Sequence, residues 1–246
     1  MATFYIKKSQ VQGDCILMEG DDVNHIKNVL RFQVGDELMV YDEEGKGYQT
    51  IIQKFSEKTM ELKILSFSTA SSETTIAVDL YQGLPKADKM EWIIQKATEL
   101  GVKKIVPVVT ERVIVKLDDK NEAKKLERWK KIAKEAAGQS GRQVVPTIEN
   151  ARNLKNSIEN LSKYDIVVVP YECEKEHSLR QVLQNLDFDV KSVAVVIGPE
   201  GGFSPADIAL LQTLSNVKLV SLGPRILRTE TAGMVTLAMV LYELDS

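Results

Sequence analysis

Two cysteines and two histidines in 246 residues leave little material for metal or redox chemistry. Cys15 and Cys173 stand far apart with no ligand spacing, so no zinc site and no disulfide framework is expected. Glu172, Glu174 and Glu176 crowd Cys173 in sequence and disfavour a reactive thiolate. His25 and His177 are too scattered for a Ser-His-Asp triad. Long apolar runs are missing too. The most apolar stretch, AGMVTLAMVLY (232–242), is about half a membrane span and reads as a buried helix. MATFYIKKSQ, at the start, has no apolar run suited to a secretion signal. These absences point to a reduced, cytoplasmic setting.

A surplus of positive charge is also absent, since 32 Lys and Arg face 35 Asp and Glu. Its distribution matters more than its total. Between Arg112 and Arg142 ten basic residues meet five acidic ones, a local excess that a nucleic-acid backbone could use. The helix expected over 121–138 turns Leu126, Trp129, Ala133 and Ala137 inward and Lys124, Arg128 and Lys131 outward. A solvated charged face explains that pattern on its own. The following Ser140-Gly141-Arg142 adds a turn whose arginine could engage a phosphate.

The chain changes rhythm near residue 70. Before it, short runs such as CILM (15–18), ELMVY (37–41) and MELKIL (60–65) alternate with turn signals, and one helix is expected over 21–31. A small β-barrel over 1–70 follows, with SFSTASSETT (66–75) as linker. From 74 to 246 apolar strands alternate with amphipathic helices, the signature of an α/β domain with a parallel sheet. In such sheets ligands bind beyond the carboxyl ends of the strands.

Two stretches stand at such ends. VVIGPEGGFS (195–204) leaves a strand through Gly198-Pro199-Glu200-Gly201-Gly202 and starts a helix at Ser204-Pro205. SLGPRILRTETA (221–232) repeats the device and carries Arg225 and Arg228. Neither holds a dinucleotide fingerprint or a P-loop, and Glu200 would repel phosphate. The pair suits a phosphate-free adenosine held by backbone groups, although a structural turn explains the glycines of the first stretch better when they are taken alone.

Together with PKADKMEWIIQKATELGV (85–102), ERWKKIAKEAAGQSGR (127–142) and HIKNVLRFQVGD (25–36), these stretches resemble the RsmE family of SPOUT-class RNA methyltransferases. The resemblance runs through nearly the whole chain. It implies an amino-terminal PUA-like barrel for RNA, a carboxyl-terminal domain with a deep trefoil knot, and a homodimer. It further implies S-adenosylmethionine as cofactor and N3 of a uridine in small-subunit (16S) ribosomal RNA as methyl acceptor. On that template Gly198, Pro199, Glu200, Gly201, Leu222, Gly223, Ile226 and Leu227 enclose the cofactor, with Pro170-Tyr171 as a third wall. Arg228 is expected to stabilise charge on the uracil, and Glu200 or Glu230 to accept a proton, although Glu230 is better explained as a cap of the last helix. Arg31, Lys124, Arg128, Lys131, Arg142 and Arg225 are the expected RNA contacts, and no metal is expected. The rivals are ribose 2′-O methylation on the same scaffold and a non-catalytic RNA-binding assembly factor.

Overall fold

The computed structural model describes residues 3–68, 71–113 and 119–245. Two positions of the expected linker, 69 and 70, lie outside them. The chain divides into two compact units, Met1–Glu73 with Ala137–Val145, and Thr74–Ala136 with Pro146–Ser246. The return of a nine-residue segment to the first unit was not visible in the composition.

The first unit is one six-stranded sheet. Its strands are β1 (Thr3–Tyr5), β2 (Val11–Gln12), β3 (Cys15–Glu19), β4 (Glu37–Tyr41), β5 (Gly47–Phe55) and β6 (Thr59–Ser68), in the spatial order β1-β4-β5-β6-β3-β2. Alternation decides the facing: Leu38, Val40, Ile52, Met60 and Leu62 are buried in one core with Ile16 and Met18. The expected helix over 21–31 is shorter and irregular. A single α-turn, α1 (Asp21–Asn24), passes into a π-helical stretch, His25–Val29, and Arg31 stands in a left-handed conformation at φ 60°. A non-glycine residue held there is uncommon and marks local constraint. Arg31 itself is exposed.

Arg142 departs from its expected role. It belongs to the first unit, where only 5% of its surface is exposed. Its Nη2 meets Glu73 Oε2 at 2.6 Å, and Tyr5 donates to its carbonyl at 2.7 Å. The Glu73 carboxylate also accepts the Gln143 and Val144 amides at 2.7 and 3.1 Å. Burial opposes ionisation of Glu73, but Arg142 and those amides outweigh it and hold the carboxyl below its usual range. This guanidinium is committed inside the protein, whereas the expectation called for an exposed one.

The second unit is α/β, with a parallel sheet. In chain order it comprises β7 (Ala77–Gly83), α2 (Lys89–Leu100), β8 (Lys104–Val109), α3 (Asp119–Ser140), β9 (Thr147–Ile148), β10 (Arg152–Asn153), α4 (Leu154–Leu161), β11 (Ile166–Pro170), α5 (Leu179–Gln184), β12 (Ser192–Ile197), α6 (Pro205–Leu211), β13 (Val217–Val220) and α7 (Thr229–Leu244). The last four residues of α3 count with the first unit. Strand order is β10-β8-β7-β12-β11-β13, with β9 beside β8. One face packs Tyr81, Val106, Val167, Val169, Ala194 and Val196 against Leu154 and Leu161 of α4 and Ile208 and Leu211 of α6. The other receives α7, which lies along β7 and β12 and packs on α2. Because the strands run parallel, Gly83, Pro170, Ile197 and Val220 all end at one edge of the sheet. Among the described residues, no helix is long and apolar enough to cross a membrane.

Candidate functional site

A cavity of about 340 Å³ opens at that edge. Its walls come from both glycine stretches, 198–202 and 222–228, and from Pro170-Tyr171 at the end of β11. The cavity therefore collects the eight residues expected around a cofactor, and Pro170 with them. Its size lies at the lower end of small-molecule sites, roughly 300–1,000 Å³.

Local rules explain how the chain makes these walls. β12 ends at Ile197, and a turn closed by the Gly202 amide on the Pro199 carbonyl at 2.9 Å redirects the chain. Ser204 then caps α6: its hydroxyl accepts the Asp207 amide, and Asp207 accepts the Ser204 amide, each at 3.0 Å. Gly223 sits at φ 108°, and a Cβ there would meet nothing within 4 Å, so the backbone conformation, not crowding, calls for glycine. Gly83 is the reverse case. A Cβ on it would lie 2.5 Å from the Pro199 nitrogen, so β7 and the first loop touch backbone to backbone.

Beneath the cavity lies a buried polar relay that the sequence did not announce. Gln82, fully buried, donates to the Thr229 hydroxyl at 2.8 Å, and that hydroxyl donates to the Gly198 carbonyl at 2.6 Å. Thr229 thus joins the start of α7 to the loop after β12. At the start of α7, Arg228 takes the N-cap position and Thr229 bonds inward to the loop. An interior glutamine at a strand end beside glycine was the available signal.

The charged groups divide into fixed and presented. Glu200 lines the cavity, accepts the Lys86 amide at 3.1 Å and pairs with Lys89 Nζ at 3.1 Å. Burial raises its tendency to hold a proton, but backbone amides and Lys89 prevail and keep it below the usual carboxylate range. Glu230 pairs with the same ammonium at 3.2 Å and does not line the cavity. Both carboxylates are thus engaged by one cation, and neither stands as a free group. Arg225 and Arg228 line the rim and are exposed, as is Ile226 at 89%. Arg112, which the sequence reading did not single out, donates to the Gly201 carbonyl at 3.0 Å. On α3, Lys124, Arg128 and Lys131 are exposed. Arg128 contacts Glu91 at 2.7 Å and Lys131 contacts Glu135 at 4.0 Å, pairs that water and RNA can compete for. Among the described residues no cluster could hold a metal ion.

The cavity suits a ligand with both apolar and charged parts. Its walls combine Pro170, Ile197, Leu222 and Leu227 with the carboxylates of Glu172 and Glu200 on one side and the guanidinium groups of Arg225 and Arg228 at the rim. A sulfonium nucleoside matches that chemistry.

Comparison with known proteins agrees with this geometry. Residues 72–241 match the family model described as an RNA methyltransferase domain, and residues 19–65 match the RNA methyltransferase PUA domain. A ribosomal RNA small subunit methyltransferase E from Bacillus subtilis is 37% identical over 92% of this chain and 89% of its own. One of the same name from Rickettsia conorii is 29% identical over 96% of this chain and 93% of its own. The crystal structure of ribosomal RNA small subunit methyltransferase E from Neisseria gonorrhoeae bound to S-adenosyl methionine superposes with a TM-score of 0.86 at 27% identity, covering 98% and 97% of the two chains. With an α/β unit built around this cavity and matches to both family models, the chain belongs to the RNA methyltransferase family that includes ribosomal RNA small subunit methyltransferase E.

Proposed function

We propose that this protein methylates N3 of a uridine in small-subunit (16S) ribosomal RNA, with S-adenosylmethionine as methyl donor. The observation that carries the reading is the single cavity walled by both glycine stretches at the carboxyl edge of the sheet. S-adenosylmethionine supplies an electrophilic methyl group on a positively charged sulfur. Gly198 to Gly201 and Leu222 to Leu227 would hold its adenosyl part, and Glu172 and Glu200 present negative charge to its cationic part.

The chain's own residues then have to orient and activate the acceptor. Uridine N3 carries a proton and is a poor nucleophile until that proton leaves. With Glu200 and Glu230 tied to Lys89, the proton passes to solvent, and Arg228 stabilises the resulting charge on the uracil oxygens. Arg228 is exposed at the rim, where an incoming base arrives. The base must be unstacked to reach it. Exposed Arg31, Arg225, Lys124, Arg128 and Lys131 supply the phosphate contacts, and the PUA match favours the first unit as an RNA grip.

We further infer a homodimer, because Trp92, Met239 and Tyr242 on the packed pair α2 and α7 are 45%, 46% and 89% exposed. A deep trefoil knot in the second unit is consistent with Thr229 bonding back to the loop after β12. A cytoplasmic setting accords with the proposed action on ribosomal RNA. The test is methylation of small subunits lacking the modification, followed by nucleoside mass spectrometry. N3-methyluridine is expected. A 2′-O-methyl product would replace the acceptor, and RNA binding without methyl incorporation would make the protein an assembly factor.

A further inference from the structure

Three segments meet at one ammonium group. Lys89, the first residue of α2, reaches Glu200 of the loop after β12 at 3.1 Å and Glu230 in the first turn of α7 at 3.2 Å. The Lys86 amide, three residues earlier, donates to the same Glu200 carboxylate at 3.1 Å. Between them Ala87 is held at φ 55°, a conformation that a non-glycine residue keeps only where its surroundings impose it. Glu230 Oε2 is buried and makes no hydrogen bond, so the Lys89 charge 3.2 Å away is what compensates it. Side-chain exposures of 28%, 26% and 18% for Lys89, Glu200 and Glu230 leave the cluster partly shielded from water.

We propose that Lys89 is a positioning residue which fixes the spacing of the two cofactor loops by bridging Glu200 and Glu230. The loop 198–202 carries Glu200 directly, and the stretch 222–228 runs into Glu230 two residues later. Removing the ammonium leaves two carboxylates facing each other with nothing between them. Mutual repulsion then opens the distance on which the cavity depends. The proposal rests on the cofactor reading of that cavity. Lys89 does not line the cavity, so its effect is indirect.

Calorimetric titration of S-adenosylmethionine into the full chain tests it. Lys89→Met is expected to weaken binding by about tenfold or more, whereas Lys89→Arg, which preserves the charge, stays within about threefold of wild type. Glu230→Gln in the Lys89→Met background is expected to recover part of the loss, because repulsion has been removed; mere destabilisation would not be relieved that way. Saturating cofactor should return most of the turnover of Lys89→Met, separating KM from kcat. If Lys89→Met fails to fold, Lys89→Gln alongside Glu200→Gln and Glu230→Gln gives the same cycle by thermal shift of the unliganded protein. Additive losses there, or unchanged affinity in Lys89→Met, overturn the proposal. Absence of binding by wild type instead sinks the cofactor reading beneath it.

Discussion

The two glycine stretches look alike in sequence and are built to opposite ends. The first, 198–202, is tied on every side: Thr229 holds the Gly198 carbonyl, Arg112 the Gly201 carbonyl, Lys86 and Lys89 the Glu200 carboxylate, and Gly83 abuts Pro199. The second, 222–228, holds Gly223 in open space and leaves Arg225, Ile226 and Arg228 exposed. A Gly-Pro motif after a strand specifies a turn. Whether that turn is a wall or a lip is decided by what packs behind it. The fixed stretch suits a ligand that must be held in register, and the exposed one suits a substrate that arrives and leaves.

That contrast can be broken from either side. The largest effect is expected at the lip: Arg228→Ala should lower kcat by about 10²-fold, with cofactor affinity and thermal stability near wild type, as loss of one charge-stabilising donor does. Near-normal turnover would remove Arg228 from the chemistry. On the fixed side, Gly83→Ala drives a methyl group into the Pro199 backbone and should destabilise by about 1–3 kcal/mol while loosening cofactor binding, read by urea denaturation and calorimetry. Thr229→Val keeps the shape but strips the Gly198 carbonyl of its donor, at a cost of about 1–2 kcal/mol in the same denaturation experiment.

A smaller, pH-dependent effect separates the two kinds of arginine. Arg142 is internal and holds Glu73 ionised, so the folded Glu73 pKa lies below its unfolded value of about 4.3. A depressed folded pKa contributes stability that is present above about pH 4.3 and lost as pH falls through the folded value. Thermal melts should therefore show wild type more stable than Glu73→Gln at pH 7, with the gap narrowing below about pH 4. A gap independent of pH would mean that the pair contributes through packing alone.

Much of this architecture is legible in the amino-acid sequence. The β-rich first region, the parallel sheet, the Ser204-Pro205 helix start and the convergence of both glycine stretches follow from periodicity and turn chemistry, which are local. Errors fell where a long-range partner decides the outcome. Arg142 follows a turn and reads as surface, but Glu73, 69 residues away, buries it. The start of α2 at Lys89 has the same kind of cause, since Glu200 captures the Lys86 amide and Ala87 is turned left-handed. Glu200 and Glu230 read as free carboxylates because nothing local reveals that they share Lys89. Gln82 went unnoticed because a polar residue at a strand end gains its meaning only from Thr229.

Backbone amide NMR of the full chain during titration with S-adenosylmethionine addresses the shared cavity directly. Amides of 198–202 and 222–228 should shift together and fit a single dissociation constant. Shifts confined to one stretch, or two unrelated affinities, would show that the bends do not enclose one ligand.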